Sequence, residues 1–132
     1  MNNKVYCSTG VFIGRVNNRN YNLLKEANRK INCDGFEFMI FRDWYDELDS
    51  IIKLIKKEKI TVPVVHGDKR IGDMLSEAKN EGLEECLRIW DINCRTAATL
   101  GAEKIVAHMW GVPSSDRDMD VIIENVGQLK KI

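Results

Sequence analysis

The chain contains two histidines, and each closes a short apolar run. His66 ends residues 62–66 (VPVVH), and His108 ends residues 104–108 (KIVAH). If these runs are neighbouring parallel strands, about 4.8 Å apart, both imidazoles lie at one edge of the sheet and can meet one metal ion or one phosphate. A single histidine at the end of an apolar strand is more often a hydrogen-bonded structural residue. Because both histidines occupy this position, the pattern favours a functional role, in which His66 and His108 bind a metal ion or a phosphate.

A carboxylate also interrupts an apolar run. Glu37 lies within residues 36–41 (FEFMIF), and burying its charge is costly unless the group is paired or bound to a ligand. One interpretation is a structural ion pair with Lys4, Lys104 or a loop arginine. The other places Glu37 in the site with His66, as a general acid or base or as a carboxylate that orients a histidine. The sequence leaves both open.

Substrate-binding candidates lie in the predicted loops at the same edge. Lys69 and Arg70 can hold a phosphate by charge and bidentate hydrogen bonds, although a solvated surface pair is more common. Phe12, Trp44 and Trp110 can form an apolar wall for a sugar ring or act as lids on the core. We take Phe12, Lys69 and Trp110 as the substrate-binding candidates.

Composition excludes several classes of protein. The 132 residues carry 20 basic and 20 acidic side chains, so no net field favours nucleic acid or a membrane surface. No apolar run reaches the roughly 18 residues of a membrane span, and the first residues lack the apolar stretch of a signal peptide. The four cysteines form no Cys-x-x-Cys pair, which favours free thiols in a reducing compartment. The sequence predicts a cytoplasmic protein, and it contains neither a glycine-rich nucleotide loop nor a Gly-x-Ser-x-Gly elbow.

Strand and helix patterns alternate along the whole chain. Apolar runs predict strands, and stripes with helical spacing predict helices, the second of them capped by Asp43. This order predicts a single α/β domain, residues 1–132, built from four consecutive β-α units with a parallel sheet. The connections from strand to helix are long, which places the site at the carboxyl ends of the strands. The predicted strands are residues 4–9, 36–41, 62–66 and 104–108; the predicted helices are residues 21–31, 44–55, 74–78, 83–100 and 121–129.

Three segments resemble the second, third and fourth strands of the xylose-isomerase-like TIM-barrel superfamily. This group includes sugar phosphate isomerases and epimerases and the endonuclease-four type of apurinic/apyrimidinic (AP) endonucleases. The segments are INCDGFEFMIF, VPVVHGDKRIG and LGAEKIVAHMWG. The resemblance implies metal-assisted proton transfer on a small sugar or sugar phosphate, with a divalent Mn, Mg, Co or Zn ion. Glu37 and His66 would be catalytic, and His66 and His108 would hold the metal.

The chain departs from the superfamily in two ways. In the AP endonucleases, Pro-Gly follows the fourth-strand histidine, whereas Met109 and Trp110 follow His108 here, which favours the sugar branch over DNA. Four units of about 33 residues give half of the roughly 250 residues of a (β/α)8 barrel. The resemblance therefore implies the amino-terminal half of a barrel, without most of the family's metal ligands. We expect such a chain to be inactive alone, to bind metal weakly or not at all, and to self-associate or pair with a complementary half-barrel.

Two alternatives remain open in the sequence. One is an AP-endonuclease-like, metal-dependent phosphodiesterase that uses the same histidines. The other is a small, non-catalytic α/β binding module, for which we expect helices on both faces of an open sheet.

Overall fold

The computed structural model describes residues 3–77, 81–109 and 119–132, and it has four parallel strands alternating with helices. The predicted α/β class is confirmed, with a half-barrel-like parallel sheet. The strands are β1 (Tyr6–Ser8), β2 (Gly35–Met39), β3 (Val64–His66) and β4 (Lys104–Val106). The helices are α1 (Leu23–Lys30), α2 (Leu48–Lys57), α3 (Arg70–Glu77), α4 (Glu81–Leu100) and α5 (Met119–Leu129), with 3-10 turns at Thr9–Val11, Arg15–Asn17 and Arg42–Glu47.

The strand order explains why one face of the sheet is left open. The strands pair in the order β1-β2-β3-β4, and every pair is parallel. Crossovers between parallel strands are almost always right-handed, so an order that never reverses puts the connecting helices on one face. A doubly wound sheet reverses its order and covers both faces. The observed order is therefore that of a barrel segment, and it differs from the two-sided cover expected of the binding-module alternative.

Side chains alternate between the two faces of the sheet. Phe36, Phe38 and Val65 are fully buried in the core formed with the helices. Glu37 and His66 point to the opposite face, because successive strand residues alternate in direction, and both are partly exposed. The open face therefore presents the two side chains for which the family resemblance implies a catalytic role.

The start of the second helix differs from the prediction. Residues Arg42–Glu47 form a 3-10 turn, α2 begins only at Leu48, and Asp43 makes no capping hydrogen bond. The Asp43 carboxylate pairs with Arg19 instead. The indole of Trp44 donates to the Arg19 carbonyl at 3.1 Å, which holds the turn against the preceding loop. The capping role predicted for Asp43 is therefore wrong.

Two expectations from composition concern the cysteines and the membrane. All four cysteines are free thiols: Cys86 is buried, and the other three are half-buried. Within residues 3–77, 81–109 and 119–132, no helix combines the length and the apolar character needed to cross a bilayer.

Candidate functional site

The two imidazoles lie against each other at the carboxyl edge of the sheet. Nε2 of His66 is 2.6 Å from Nε2 of His108. The ring centroids are 4.7 Å apart and the ring planes are inclined by 28°. The structure thus brings together the two histidines that the sequence placed at one edge, with their ε nitrogens facing each other.

His108 reaches this position from beyond the end of its strand. The predicted strand ended at His108, but β4 ends at Val106, which is the register partner of His66. The Gly67 amide donates to the Val106 carbonyl at 2.9 Å, and the chain leaves the ladder there. A Cβ atom on Gly67 would lie 3.2 Å from that carbonyl oxygen and 3.3 Å from the ring of Trp90, so a glycine allows the close approach. The predicted strand boundary is therefore wrong by two residues.

Glu37 binds the outer nitrogen of the imidazole pair. Its Oε1 lies 3.0 Å from Nδ1 of His66 and accepts a hydrogen bond of 3.0 Å from the hydroxyl of Ser8. Ser8 and Glu37 are register partners on β1 and β2, so neighbouring strands bring the two groups together. Among the described residues, His66 is the one ion-pair partner found for Glu37, so the expected pairing with Lys4, Lys104 or a loop arginine is not observed. The hydrogen bond to His66 is the contact expected if the carboxylate orients a histidine, and a role for Glu37 as a general acid or base stays a prediction.

This hydrogen-bond chain assigns the tautomers of the two rings. An ionised Glu37 can only accept, so His66 donates from Nδ1 and keeps a lone pair on Nε2. Nε2 of His108 then supplies the hydrogen of the 2.6 Å contact. His66 is thereby held in the form that can bind a metal through Nε2. His108 must move its hydrogen to Nδ1 before its Nε2 can do the same.

The surroundings of His108 favour its neutral form. Burial lowers the pKa of His108. Repulsion between the two imidazoles when both carry a proton, and the positive charge of Lys69, lower it further, while Glu37 opposes the shift. A neutral imidazole is the form that acts as a metal ligand or a base. His108 therefore stays available for these roles to a lower pH than an exposed histidine.

We expect the substitution Lys69→Gln to raise the pKa of His108. Burial remains, but one of the charges that oppose protonation of the ring is removed. A titration of the ring protons by NMR measures the change, and Lys53→Gln on the exposed side of α2 provides a control with the same loss of charge. An unchanged or lower His108 pKa in Lys69→Gln would contradict the conclusion that the charge of Lys69 lowers the pKa of this ring.

The donor set fits a metal only in part. His66 and His108 offer two nitrogens, and the described residues contain no group of three or more His, Cys, Asp or Glu side chains that could hold a metal ion. Two nitrogens bound tetrahedrally to one Zn²⁺ at about 2.0–2.1 Å lie about 3.3 Å apart, so the rings need to separate by less than about 1 Å. Imidazole nitrogens and a carboxylate behind one ring are suitable donor chemistry for Zn²⁺ or Co²⁺. The pair therefore provides two ligands of a site that needs further ligands.

A buried polar network that the sequence did not reveal orders the loop after β3. Asp68 is 5% exposed and accepts hydrogen bonds from the Tyr45 hydroxyl at 3.1 Å and from the Arg70 guanidinium at 2.5 Å. The amide nitrogen of Asn93 donates to the Tyr45 oxygen at 2.9 Å, and its carbonyl accepts from the Asp68 backbone at 2.9 Å. Burial raises the pKa of Tyr45, which keeps its phenol a hydrogen-bond donor. The sequence did contain one sign of this network, because Asn93 is a polar residue between Trp90 and Ala97 on the apolar stripe of α4.

The structure does not bring the remaining substrate-binding candidates together at one place. Lys69 is exposed and lines a cleft at the site edge. Phe12 packs edge-on against Phe36 at 5.9 Å, on the helix-covered side of the sheet, and is not brought to the imidazoles. Trp44 is 3% exposed in the core. Trp110 lies outside the described residues.

No protein-family model, curated protein or solved structure matches this chain. The resemblance to the xylose-isomerase-like superfamily therefore rests on the motifs of the sequence, and the site rests on its own geometry.

Proposed function

We propose that this chain carries part of the centre of a sugar or sugar-phosphate isomerase or epimerase. In this centre, Glu37 and His66 move a proton, and His66 and His108 hold a divalent metal ion, Mn, Mg, Co or Zn. The observation that supports the proposal best is the continuous hydrogen-bonded chain from Glu37 through His66 to His108. It lies on the open face of the sheet, at the edge where α/β enzymes bind their substrates.

Each residue has a task in such a reaction. Isomerisation and epimerisation remove a proton from the carbon beside a carbonyl and return a proton to the neighbouring carbon or to the other side of the same carbon. Glu37 is partly exposed, so its carboxylate can take up the proton from one carbon and return it to another, while the Nδ1–H of His66 donates to the carboxylate at 3.0 Å and holds it in place. The Ser8 hydroxyl positions the carboxylate. A divalent metal, when bound, supplies polarisation of the sugar's hydroxyl and carbonyl oxygens.

The proposal includes a partner that completes the site. Two imidazoles are fewer than the three protein ligands typical of a catalytic zinc site, so we do not expect turnover from a single copy of this chain. The open face also exposes part of Met39, Val64 and Val106. Self-association, or a complementary half-barrel, would cover these side chains and add ligands. Neither nucleic acid nor membrane is a partner in this proposal, and the four free cysteines agree with a cytoplasmic location.

Solvent-deuterium exchange tests the proposed reaction. The protein is incubated in D₂O with Mn²⁺ and a panel of aldoses, ketoses and their phosphates, at a concentration where sedimentation detects the associated species. We expect deuterium at the carbon beside the carbonyl. Glu37→Gln should lower the rate about 100-fold, the usual contribution of a general acid or base.

The control is Glu103→Gln, which removes an exposed carboxylate at the opposite end of β4 and should leave the rate unchanged. Failure of the associated protein to exchange any sugar with Mn²⁺, Mg²⁺, Co²⁺ or Zn²⁺ would contradict the proposed function. Exchange at the wild-type rate in Glu37→Gln would contradict the role of the carboxylate.

A further inference from the structure

A cleft with an excess of positive charge lies beside the imidazole pair. It has a volume of about 520 Å³, and five basic but only two acidic side chains line it. The loops after β1, β2 and β3 all contribute to it, so it opens at the carboxyl edge of the sheet. Pockets of this size typically hold one small ligand.

Both acidic side chains of the cleft are already paired. Asp43 forms an ion pair with Arg19, whose guanidinium also lies over the ring of Phe41, 5.1 Å from its centroid. Asp68 is buried and binds Arg70 at 2.5 Å. These two arginines are thus neutralised and fixed in place, and they form part of the wall of the cleft.

The other three basic side chains have no such partner. Arg15, Arg42 and Lys69 are exposed, and among the described residues none of them has an ion pair with a carboxylate. They come from three different loops but line one cleft. Exposed cations around one cleft repel one another, although water weakens the repulsion, and an anion bound in the cleft would relieve it. Two guanidinium groups and one ammonium are the donors that proteins use for phosphate.

The sheet connects this cleft with the imidazoles. Met39 lines the cleft and is the register partner of His66. The amide of Ile40, another lining residue, donates to the His66 carbonyl at 2.9 Å. A ligand in the cleft therefore lies next to the strand end that carries the proposed catalytic histidine.

We propose that Arg15, Arg42 and Lys69 bind the phosphate group of a small phosphate monoester. The inference rests on the proposed function and narrows its substrate class from sugars in general to phosphorylated sugars. The small volume of the cleft and the zero net charge of the chain favour a small monoester over a polymer, which requires an extended basic surface. The sugar part of the ligand extends from the cleft toward His66.

Titration calorimetry of the whole chain tests this site with inorganic phosphate, ribose 5-phosphate and ribose. We expect the two phosphates to bind and ribose to bind far more weakly. Arg42→Gln and Lys69→Gln should each weaken phosphate binding about tenfold, the effect of losing one charge-assisted hydrogen bond. Arg88→Gln, on the exposed side of α4, removes the same charge away from the cleft and should leave the affinity unchanged.

The site is overturned if phosphate does not bind, or if Arg42→Gln and Lys69→Gln bind it as tightly as Arg88→Gln. Tighter binding of an abasic DNA duplex than of ribose 5-phosphate would also contradict the proposal that the ligand is a phosphate monoester, and it would favour a phosphodiester ligand. The result is separable from that of the exchange assay. Exchange of neutral sugars without phosphate binding would contradict only the phosphate site. Phosphate binding without exchange of any sugar would contradict only the proposed reaction.

Discussion

Replacing Gly35 with alanine is expected to lower the free energy of unfolding by about 3 kcal/mol. Gly35 begins β2 with a φ of +155°, a conformation that residues with a side chain rarely adopt. A Cβ atom there would lie 2.8 Å from Cδ of Pro63 and 3.0 Å from the carbonyl oxygen of Thr61. That carbonyl accepts the Phe36 amide at 2.9 Å, so the collision falls on the backbone that leads into β3.

Urea denaturation followed by circular dichroism measures this loss. Gly14→Ala is the matched control, because Gly14 has an extended backbone and a Cβ atom would meet nothing within 4 Å. We expect that control to change stability by less than about 0.5 kcal/mol. Equal stability of Gly35→Ala and Gly14→Ala would show that the β2–β3 junction tolerates a side chain, contrary to the geometry.

Replacing Asp68 with alanine is expected to cost about 2 to 3 kcal/mol of stability. The substitution removes the acceptor for the Tyr45 hydroxyl and for the Arg70 guanidinium, and it leaves both donors without that partner in a mostly buried site. Because Arg70 is 31% exposed, water compensates part of its loss, and the cost stays below that of a fully buried ion pair. Thermal or urea unfolding measures the change.

Asp91→Ala is the control for Asp68→Ala, because it also removes a paired carboxylate, but one at the surface. The difference in stability between the two variants measures the contribution of the buried network. Asp91 pairs with Arg95 one turn away on the surface of α4, and such pairs contribute little. Asp68→Asn adds a second test, because it keeps the shape of the side chain and loses the charge. Similar stabilities for Asp68→Ala and Asp91→Ala would mean that the network around Tyr45 does not hold the loop after β3.

The order of strands and helices could be read from the sequence, because short apolar runs alternate with stripes of helical spacing. The ends of these elements could not be read equally well. Apolar character continues past the last hydrogen bond of the sheet, so the sequence predicts one strand over residues 104–108, although β4 ends at Val106. Asp43 had the position of a cap, but the packing of Trp44 turned the chain into a 3-10 segment first. Tertiary contacts decided both boundaries.

The positions of those site residues that lie on strands could be predicted from the sequence. Glu37 and His66 lie on adjacent strands, and alternation along the strand determines the face to which they point. The roles of the aromatic residues were not predictable, since a loop position does not reveal on which side of the sheet a ring will pack. Phe12 therefore proved to lie against the core. Ser8 and Asp68 were missed, because a short polar side chain shows its partners only when distant segments meet.

Whether the imidazole pair holds a divalent metal is tested most directly by NMR of ¹⁵N-histidine-labelled protein titrated with Zn²⁺, at a concentration where sedimentation shows the protein to be associated. At saturation, the Nε2 resonances of both His66 and His108 should shift together, and the His108 hydrogen should move from Nε2 to Nδ1. The bond from His66 Nδ1 to Glu37 should persist. Zn²⁺ that binds without changing these ring nitrogens, or no change at any excess of metal, would contradict a metal centre at this pair.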